Sequence, residues 1–173
     1  MGMVYIAAFI LILLSSLCRS NNHLTQTKPL LLKDKLISEG GDFALGFFSP
    51  INSSKKLYIG IWYHRIVERT VVWVANHDKP ITTPSAKLAI TDNSELVLSD
   101  SEGHTLWMAT RNTGGGGGAG ASTLLLSSRN FVLQSSPNGT EVWQSFDHPT
   151  DNILPTMRLQ GTTGDTLICL EGP

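Results

Sequence analysis

Cysteine is scarce in this chain of 173 residues, which holds only Cys18 and Cys169. Cys18 lies in an apolar amino-terminal segment, so removal of that segment leaves a single thiol. A single thiol cannot form an internal disulfide bond. We therefore expect the folded domain to be stabilised by the burial of apolar side chains and not by cross-links.

The chain also lacks an excess of charge of either sign. It has 13 Lys and Arg residues against 14 Asp and Glu residues, for a net charge of -1 at pH 7. Proteins that bind nucleic acid or anionic membranes through charge carry a basic excess. The composition therefore gives no electrostatic attraction to either partner, and 41% hydrophobic residues are typical of one globular domain.

No apolar run reaches the ~20 residues that a membrane-spanning helix needs. One run extends from Val4 to Cys18 and is followed by Arg19 and Ser20. Small residues at its end suit a cleavage point, so we predict a secretory signal peptide over residues 1–20. Because the opening MGM has no Lys or Arg, an uncleaved membrane anchor is the alternative.

Two glycosylation triplets begin at Asn52 and Asn138, each in a polar, turn-like stretch. A glycan at such a position stands in solvent. Together with the signal peptide, these triplets predict a secreted, extracellular glycoprotein.

No part of the chain after residue 24 sustains the period of an amphipathic helix. Eight short runs rich in β-branched and aromatic residues alternate there with turn-forming residues, a pattern that predicts an all-β sandwich, barrel or prism. The runs are Leu57–Tyr63, Thr70–Ala75, Leu88–Thr91, Glu95–Ser99, Thr105–Ala109, Ser122–Ser127, Asn130–Gln134 and Glu141–Phe146.

One plan repeats along the chain: an apolar triplet, a turn, and an apolar strand that carries tryptophan. It is seen in Glu95–Asn112 and Asn130–Pro149, and an earlier copy joins Gly41–Pro50, through a longer connection, to VVWVANHDKP. The tryptophans recur at intervals of 34 and 36 residues. Repetition predicts three copies of one unit that share a core, and the side chains expected to meet there are Trp73, Trp107 and Trp143.

A glycine-rich stretch, TGGGGGAGA, occupies residues 113–121 between the second and third copies. Six glycines supply no side chains to pack and raise the cost of ordering the backbone, so we predict a flexible loop. A phosphate-binding loop requires Gly-Lys-Ser/Thr at the start of a helix, which is not found here.

Six segments together resemble the bulb-type lectin domain of plant S-locus glycoproteins and G-type lectin S-receptor-like serine/threonine kinases. They are FALGFFSP, YIGIWY, VVWVANHDKPI, ELVLSDSEGHTLW, NFVLQ and EVWQSFDHPTDNILPTMRL. The resemblance covers residues 24–160 and implies an all-β β-prism of pseudo-threefold symmetry, with three antiparallel sheets that each give one core Trp. Residues 161–173 do not resemble the family's continuation, and we predict a disordered or atypical tail, from truncation, alternative splicing or a fragmentary gene model.

The resemblance also implies a non-catalytic extracellular recognition module, in pollen recognition or defence signalling, without the family's kinase domain. The partners that it implies are a weakly bound, mannose-like glycan or an extracellular protein or peptide, with a receptor-like kinase or a second copy as further possibilities. A free-standing secreted lectin, specific for mannose and serving defence or storage, is the alternative.

Mannose-binding members of this family read sugar with the pattern Q-x-D-x-N-x-V-x-Y, whose alternate residues share one strand face. In the second copy this row is Thr91, Asn93, Glu95, Val97 and Ser99, where only the valine is identical. The third copy keeps Asn130 and Val132, and the first copy, placed over Ser38–Gly46, keeps little. Since each lost hydrogen bond costs ~0.5 to 1.5 kcal/mol, we expect degenerate sites, of which the second is the best candidate, or else a merely solvated polar face.

No catalytic residue, metal site or cofactor is predicted. The five histidines are scattered. His77-Asp78 and Asp147-His148 follow equivalent Trp strands, where we expect side-chain to backbone hydrogen bonds that cap turns. Ser145 lacks the Gly-x-Ser-x-Gly pattern that exposes a nucleophile, so the sequence does not indicate an enzyme.

Overall fold

The structure, a computed structural model, describes residues 22–50, 56–67, 69–109, 120–136 and 138–150, and the backbone of two short strands at 158–159 and 168–169. The predicted signal peptide, the glycosylation triplet at Asn52 and most of the glycine-rich stretch lie outside these residues. In the described part, no helix has the length and apolar character to cross a membrane.

Three four-stranded antiparallel sheets form the domain. The first sheet has the order β3 (Lys35–Ile37), β4 (Phe43–Phe48), β5 (Tyr58–Tyr63) and β6 (Val71–Val74). The second has the order β2 (Leu30–Leu31), β7 (Ala86–Ile90), β8 (Leu96–Asp100) and β9 (Thr105–Met108). The third has the order β1 (His23–Thr25), β10 (Ala121–Leu125), β11 (Phe131–Ser135) and β12 (Thr140–Gln144), and a 3-10 turn follows at Ser145–Asp147. This arrangement confirms the predicted β-prism.

The amino-terminal segment gives one short strand to each sheet. β1 joins the third sheet, β2 the second and β3 the first. Each of these strands buries one leucine, and the three leucines, Leu24, Leu30 and Leu36, recur at six-residue intervals. These strands were not predicted from the sequence, because two or three residues are too few to show an alternating pattern.

Each sheet directs one row of four side chains, one from each strand, into the core. Their burial removes apolar surface from water, which is the dominant favourable contribution to folding. The rows are Leu36, Leu45, Ile61 and Trp73 in the first sheet, Leu30, Leu88, Leu98 and Trp107 in the second, and Leu24, Thr123, Leu133 and Trp143 in the third.

The polar member of these rows, Thr123, is buried but not unpaired. Its Oγ1 accepts the backbone N–H of Leu24 at 3.2 Å. The hydrogen bond offsets the cost of burying the hydroxyl and fastens β1 to the third sheet.

Every Trp strand carries a β-bulge next to its tryptophan. The register shifts after Ile61, Leu98 and Leu133, and leaves one extra residue before the ring in each strand, namely Val72, Leu106 or Val142. A bulge redirects the side chains beside it. Because the same bulge occurs in all three strands, it explains how their indole rings come to point toward one axis.

The three indoles meet as predicted. Their ring centres are 6.0, 6.0 and 5.6 Å apart, and the interplanar angles of 79°, 62° and 74° describe edge-to-face contacts. Such contacts are favourable beyond the burial of area. Trp73 and Trp143 are buried, whereas Trp107 is half-buried, so the centre is less completely sealed on the side of the second sheet.

The predicted position of the first copy was wrong by one strand. The strand that pairs with the Trp73 strand is β5, not β4, so Tyr58–Tyr63 is the equivalent of β8 and β11. The error arises because the turn before β4 has the same backbone conformation as the turns before β8 and β11. Gly41 has a φ of 74°, and Ser94 and Arg129 in the other two turns have φ values of 60° and 77°.

The end of the third copy closes the ring of sheets. Trp73 donates its indole N–H to the His148 carbonyl oxygen at 2.8 Å, and the Val74 N–H bonds Thr150 Oγ1 at 2.8 Å. The His148 ring stacks on Trp143 with centres 5.5 Å apart. The block WQSFDHPT therefore joins the last sheet to the first.

Two further strands, β13 (Arg158–Leu159) and β14 (Ile168–Cys169), pair with each other. The second lies within the segment that was predicted to be a disordered or atypical tail, and the rest of residues 161–173 lies outside the described part of the chain.

Candidate functional site

The predicted sugar row of the second copy begins in a turn and ends on β8. The Thr91 N–H donates to the Glu95 carbonyl oxygen and the Ser94 N–H to that of Thr91, both at 2.8 Å. Only Val97 and Ser99 lie on the strand itself. The predicted row of five alternating residues on one strand therefore holds only for its last part.

From Glu95 to Ser99 the row faces outward. Leu96 and Leu98, which alternate with its members, are fully buried, whereas Glu95, Val97 and Ser99 are half-buried. Asn93 is exposed at the turn. The row thus presents one carboxylate, one amide and one hydroxyl around an accessible valine.

Neighbouring strands extend this surface. Val97 lies opposite Ala89 and Met108, and Ser99 opposite Lys87 and Thr105. Met108 is 44% exposed. We call this surface the second-sheet outer face; it combines an apolar centre with polar groups that can donate or accept hydrogen bonds, and it is defined by Lys87, Asn93, Glu95, Val97, Ser99 and Met108.

Thr91 is committed to the turn. Its Oγ1 accepts the Glu95 N–H at 3.2 Å, and its carbonyl oxygen accepts the Gln26 side-chain amide at 3.1 Å. These bonds hold the turn against the segment between β1 and β2.

The two retained residues of the third copy are inside the protein. Asn130 is 7% exposed, donates to Gln144 Oε1 at 2.7 Å, and accepts from Ser145 Oγ at 3.1 Å and the Phe146 N–H at 3.3 Å. Val132 is fully buried. The amide of Asn130 therefore fastens the start of β11 to the 3-10 turn, and neither side chain is presented to solvent.

The equivalent positions of the first sheet are Tyr58, Gly60 and Trp62. Trp62 and Phe48 are both buried on the outer side of the sheet, with ring centres 6.2 Å apart. A Cβ at Gly60 would meet the Phe48 ring and the Trp73 carbonyl oxygen. The protein's own aromatic rings therefore fill the place where the other sheets hold a valine. The glycine and tryptophan of YIGIWY indicate this in the sequence, but the first copy had been assigned to the wrong strand, so they were not compared with the other rows.

After the Trp strands, side chains bond backbone groups as expected, but through Asn76 and Ser145 and not through the two aspartates. The Asn76 amide caps its own turn by donating to the Lys79 carbonyl oxygen at 2.9 Å, and the other bonds reach the middle strands. Asn76 Oδ1 accepts the Ile59 N–H at 2.9 Å and Ser145 Oγ accepts the Phe131 N–H at 2.9 Å. Asp78 instead contacts the His77 ring, and Asp147 accepts the Gln144 amide. Ser145 is buried and fully engaged.

One group of potential metal ligands lies in the β8–β9 turn. Ligand atoms of Asp100, Glu102 and His104 lie within 4.8 Å of one another. Hydrogen bonds account for this proximity, because Asp100 Oδ1 accepts the N–H groups of Glu102 and His104 at 2.9 Å and Oδ2 lies 3.2 Å from His104 Nδ1. Burial raises the pKa of Asp100, but these bonds together outweigh it and hold the pKa below its ordinary value.

The second glycosylation triplet lies in the β11–β12 turn. Asn138 is exposed there, and the next residue, Gly139, has a φ of 63°. The described position leaves room for a glycan.

Comparison with known proteins gives one family. The family described as D-mannose binding lectin matches residues 70–167. A G-type lectin S-receptor-like serine/threonine-protein kinase of Arabidopsis thaliana is 37% identical over 95% of this chain and 20% of its own length. An S-locus-specific glycoprotein of Brassica oleracea is 39% identical over 90% of this chain and 36% of its own length. The chain thus spans about a fifth to a third of these relatives.

Solved structures of low sequence identity share the fold. A monomeric mannose-binding lectin of Gastrodia elata has a TM-score of 0.53 at 17% identity and covers 75% of this chain and 99% of its own. The mannose-specific agglutinin of snowdrop, Galanthus nivalis, solved with methyl-α-D-mannoside, has a TM-score of 0.51 at 18% identity and covers 69% of this chain and 94% of its own. With the family match over more than half of its length, the chain belongs to the D-mannose binding lectin family, in the form that G-type lectin S-receptor-like kinases and S-locus glycoproteins contain.

Proposed function

We propose that the protein is a secreted, non-catalytic recognition module of the plant cell surface, acting in pollen recognition or defence signalling. It reads a glycan weakly through the second-sheet outer face and makes its other contacts with protein. Sequence similarity to S-locus glycoproteins and S-receptor-like kinases supports the setting, and the accessibility of the second-sheet row supports the site.

The choice of site depends on the solvent accessibility of the three rows. Among the described residues, the predicted sugar row stays open to solvent only on the second sheet. The first sheet is covered by Phe48 and Trp62, and the third has buried its asparagine and valine. A sugar needs a half-buried apolar platform with hydrogen-bonding groups around it, and Val97 with Glu95 and Ser99 provides both.

The chemistry of this face favours weak binding. Glutamate and serine replace the asparagine and tyrosine of the family pattern, so a mannose ring loses part of its hydrogen bonds. A millimolar site has ~4 kcal/mol of binding free energy, and each lost bond removes ~0.5 to 1.5 kcal/mol of it. We therefore expect a dissociation constant in the millimolar range or above.

A free-standing, mannose-specific lectin is the second candidate. We consider it because the mannose-binding lectin of Gastrodia and the mannose-specific agglutinin of snowdrop share the fold. Such a lectin gains strength from several sites on one molecule. Among the described residues, two of the three rows are closed to solvent, and this argues against the second candidate because one row is left for each chain.

A glycan array probed with the secreted protein, followed by titration with methyl-α-mannoside, tests the proposal. We expect weak, saturable binding that Asn93→Ala and Glu95→Ala remove, while Ser128→Ala, at the equivalent exposed turn position of the third copy, leaves it unchanged. Tight mannose binding that survives both alanine substitutions would favour the second candidate. A complete absence of glycan binding would contradict the assignment of the sugar site.

A further inference from the structure

The apolar part of the second-sheet outer face extends beyond the valine of the predicted sugar row. Met108 of β9 lies opposite Val97 of β8, and Ala89 of β7 lies on the other side of Val97. Neighbouring strands are about 4.8 Å apart, so these three side chains form one apolar strip across the sheet. Ala89 and Val97 are half-buried, and Met108 is 44% exposed. The strip is therefore open to solvent, and Met108 is its most exposed member.

The strand position of Met108 is occupied differently in the other two sheets. On the third sheet it is Gln144, whose side-chain amide is already engaged in two hydrogen bonds. On the first sheet it is Val74, which packs against the buried aromatic cluster on the outer side of that sheet. Among the described residues of these equivalent positions, an apolar side chain that is accessible beside an accessible row is therefore a feature of the second sheet.

This strip determines which substituent of a sugar is favoured on the face. A sugar ring that packs on Val97 extends towards the neighbouring strands, so one of its substituents lies over Met108. A thioether sulfur is only a weak hydrogen-bond acceptor. A hydroxyl group in that place is removed from water without a good partner, which is unfavourable. A methyl group in the same place exchanges water for apolar contact, which is favourable.

We propose that the second-sheet outer face prefers a sugar that carries a methyl group, as 6-deoxy sugars and N-acetylated amino sugars do, and that Met108 confers this preference. The inference rests on the proposed function, which places a glycan on this face. Asn93, Glu95 and Ser99 hydrogen-bond the hydroxyl groups of the sugar, while Met108 contacts its methyl group. The preference over the parent sugar is about fourfold, which is the equivalent of the ~0.8 kcal/mol gained on burial of one such group.

Titrations of the isotope-labelled, secreted full chain, followed by NMR, test the inference, because they measure weak binding and report which amides a sugar affects. The sugars are D-mannose, 6-deoxy-D-mannose and N-acetyl-D-mannosamine. We expect at least one of the two methyl-bearing sugars to bind about fourfold more tightly than D-mannose and to shift the amide signals of Val97 and Met108. The sugar that is preferred shows whether the deoxy methyl group or the acetamido methyl group is the one that Met108 contacts.

Substitutions of Met108 test its part in the preference. Met108→Gln keeps the length of the side chain but makes it polar, and β9 is an edge strand, so the fold should tolerate the change. In this variant the ratio of the two affinities should fall to about one. Met108→Leu, which keeps an apolar side chain, should retain the preference. Leu31→Gln is the matched control, because Leu31 is 51% exposed and lies on the opposite edge strand, two strands from Val97, and it should leave the ratio unchanged.

Equal or tighter binding of D-mannose by the unaltered protein overturns the inference, and so does a preference for methyl-bearing sugars that survives Met108→Gln. The proposed function is measured separately, by the binding of D-mannose and its loss in Asn93→Ala and Glu95→Ala. If D-mannose binds to this face and the methyl-bearing sugars bind no more tightly, only the further inference fails. If none of the three sugars shifts the amide signals of this face, the proposed sugar site fails and the further inference fails with it.

Discussion

At the scale of single residues, Asn130 shows how a residue of a binding pattern can serve the fold. Its amide holds the start of β11, the 3-10 turn and Gln144 together through three hydrogen bonds. All the partners are at least partly buried. Removal of the amide leaves several groups unsatisfied at once, which costs more than the loss of an exposed bond.

We expect Asn130→Ala to lower the free energy of unfolding by about 2 to 3 kcal/mol, because Ser145, Phe146 and Gln144 lose a common partner. Urea unfolding followed by tryptophan fluorescence measures the change. Ser128→Ala, two positions earlier and exposed, should alter stability by less than about 0.5 kcal/mol. Unchanged stability together with lost glycan binding would instead identify Asn130 as a ligand residue.

Asp100 gives the β8–β9 turn a dependence on acid. Its pKa is lower in the folded protein than the ordinary value of about 3.9, so the stability that it contributes is present above about pH 3.9 and is lost as the pH falls through the folded-state pKa. Asp100→Asn should therefore lower the Tm at pH 6, and the difference from the unaltered protein should narrow towards pH 3. A Tm difference that is constant over this range would exclude the carboxylate charge as its cause.

At the scale of strands, much of the architecture follows from sequence pattern. All eight predicted runs contain or overlap observed strands, because β-branched and aromatic runs between turn residues are a strong local signal. β1 to β3 were not predicted. Their common feature is one leucine every six residues, and this spacing has a meaning only once each strand is known to join a different sheet. The three bulges also depend on pairing partners and have no local signature.

The candidate site was less predictable than the fold. The accessibility of Val97 and the burial of Val132 are not distinguishable from sequence, because both valines occupy the same place in their repeats. Burial is decided by what packs over each sheet, and this differs between copies. On the first sheet, recognition of β5 as the middle strand would have placed Trp62 in the row and shown that the site is filled.

Gly60 tests the close approach of β5 and β6. In Gly60→Ala the added methyl group meets the Phe48 ring and the Trp73 carbonyl oxygen, and the latter cannot withdraw without movement of the Trp strand. We expect a loss of about 1 to 3 kcal/mol in the free energy of unfolding, measured by chemical denaturation. Gly40→Ala, whose nearest neighbours are the ends of the Asp42 and Ser127 side chains, should cost clearly less. Equal losses would contradict this account of the first sheet.

At the scale of the whole molecule, the contacts of His148 and Thr150 join the third sheet to the first. The WQSFDHPT block thus has a structural role, because its hydrogen bonds to Trp73 and Val74 hold the end of the last sheet against the first. The indole N–H of Trp73, which would otherwise be an unsatisfied donor in the core, finds its acceptor in this segment.

Thr150→Val keeps the shape of the side chain but removes the acceptor of the Val74 N–H. We expect a loss of about 1 kcal/mol in the free energy of unfolding. In this variant, hydrogen exchange at the Val74 amide should be faster than at the Gly60 amide of the neighbouring strand. Thr83→Val, which removes a hydroxyl bonded within an exposed turn, is the control and should leave the Val74 exchange rate unchanged. An unaltered rate in Thr150→Val would show that closure does not depend on this bond.

The amino-terminal segment also has a consequence for biosynthesis. Leu24 of β1 hydrogen-bonds Thr123, 99 residues further along the chain. At a ribosomal elongation rate of ~5 to 20 residues per second, β1 emerges about 5 to 20 seconds before its partner strand has been made. The prism can therefore be completed only after the third copy has been translated. If translation pauses before β10 is made, β1 has no partner strand and is accessible to chaperones.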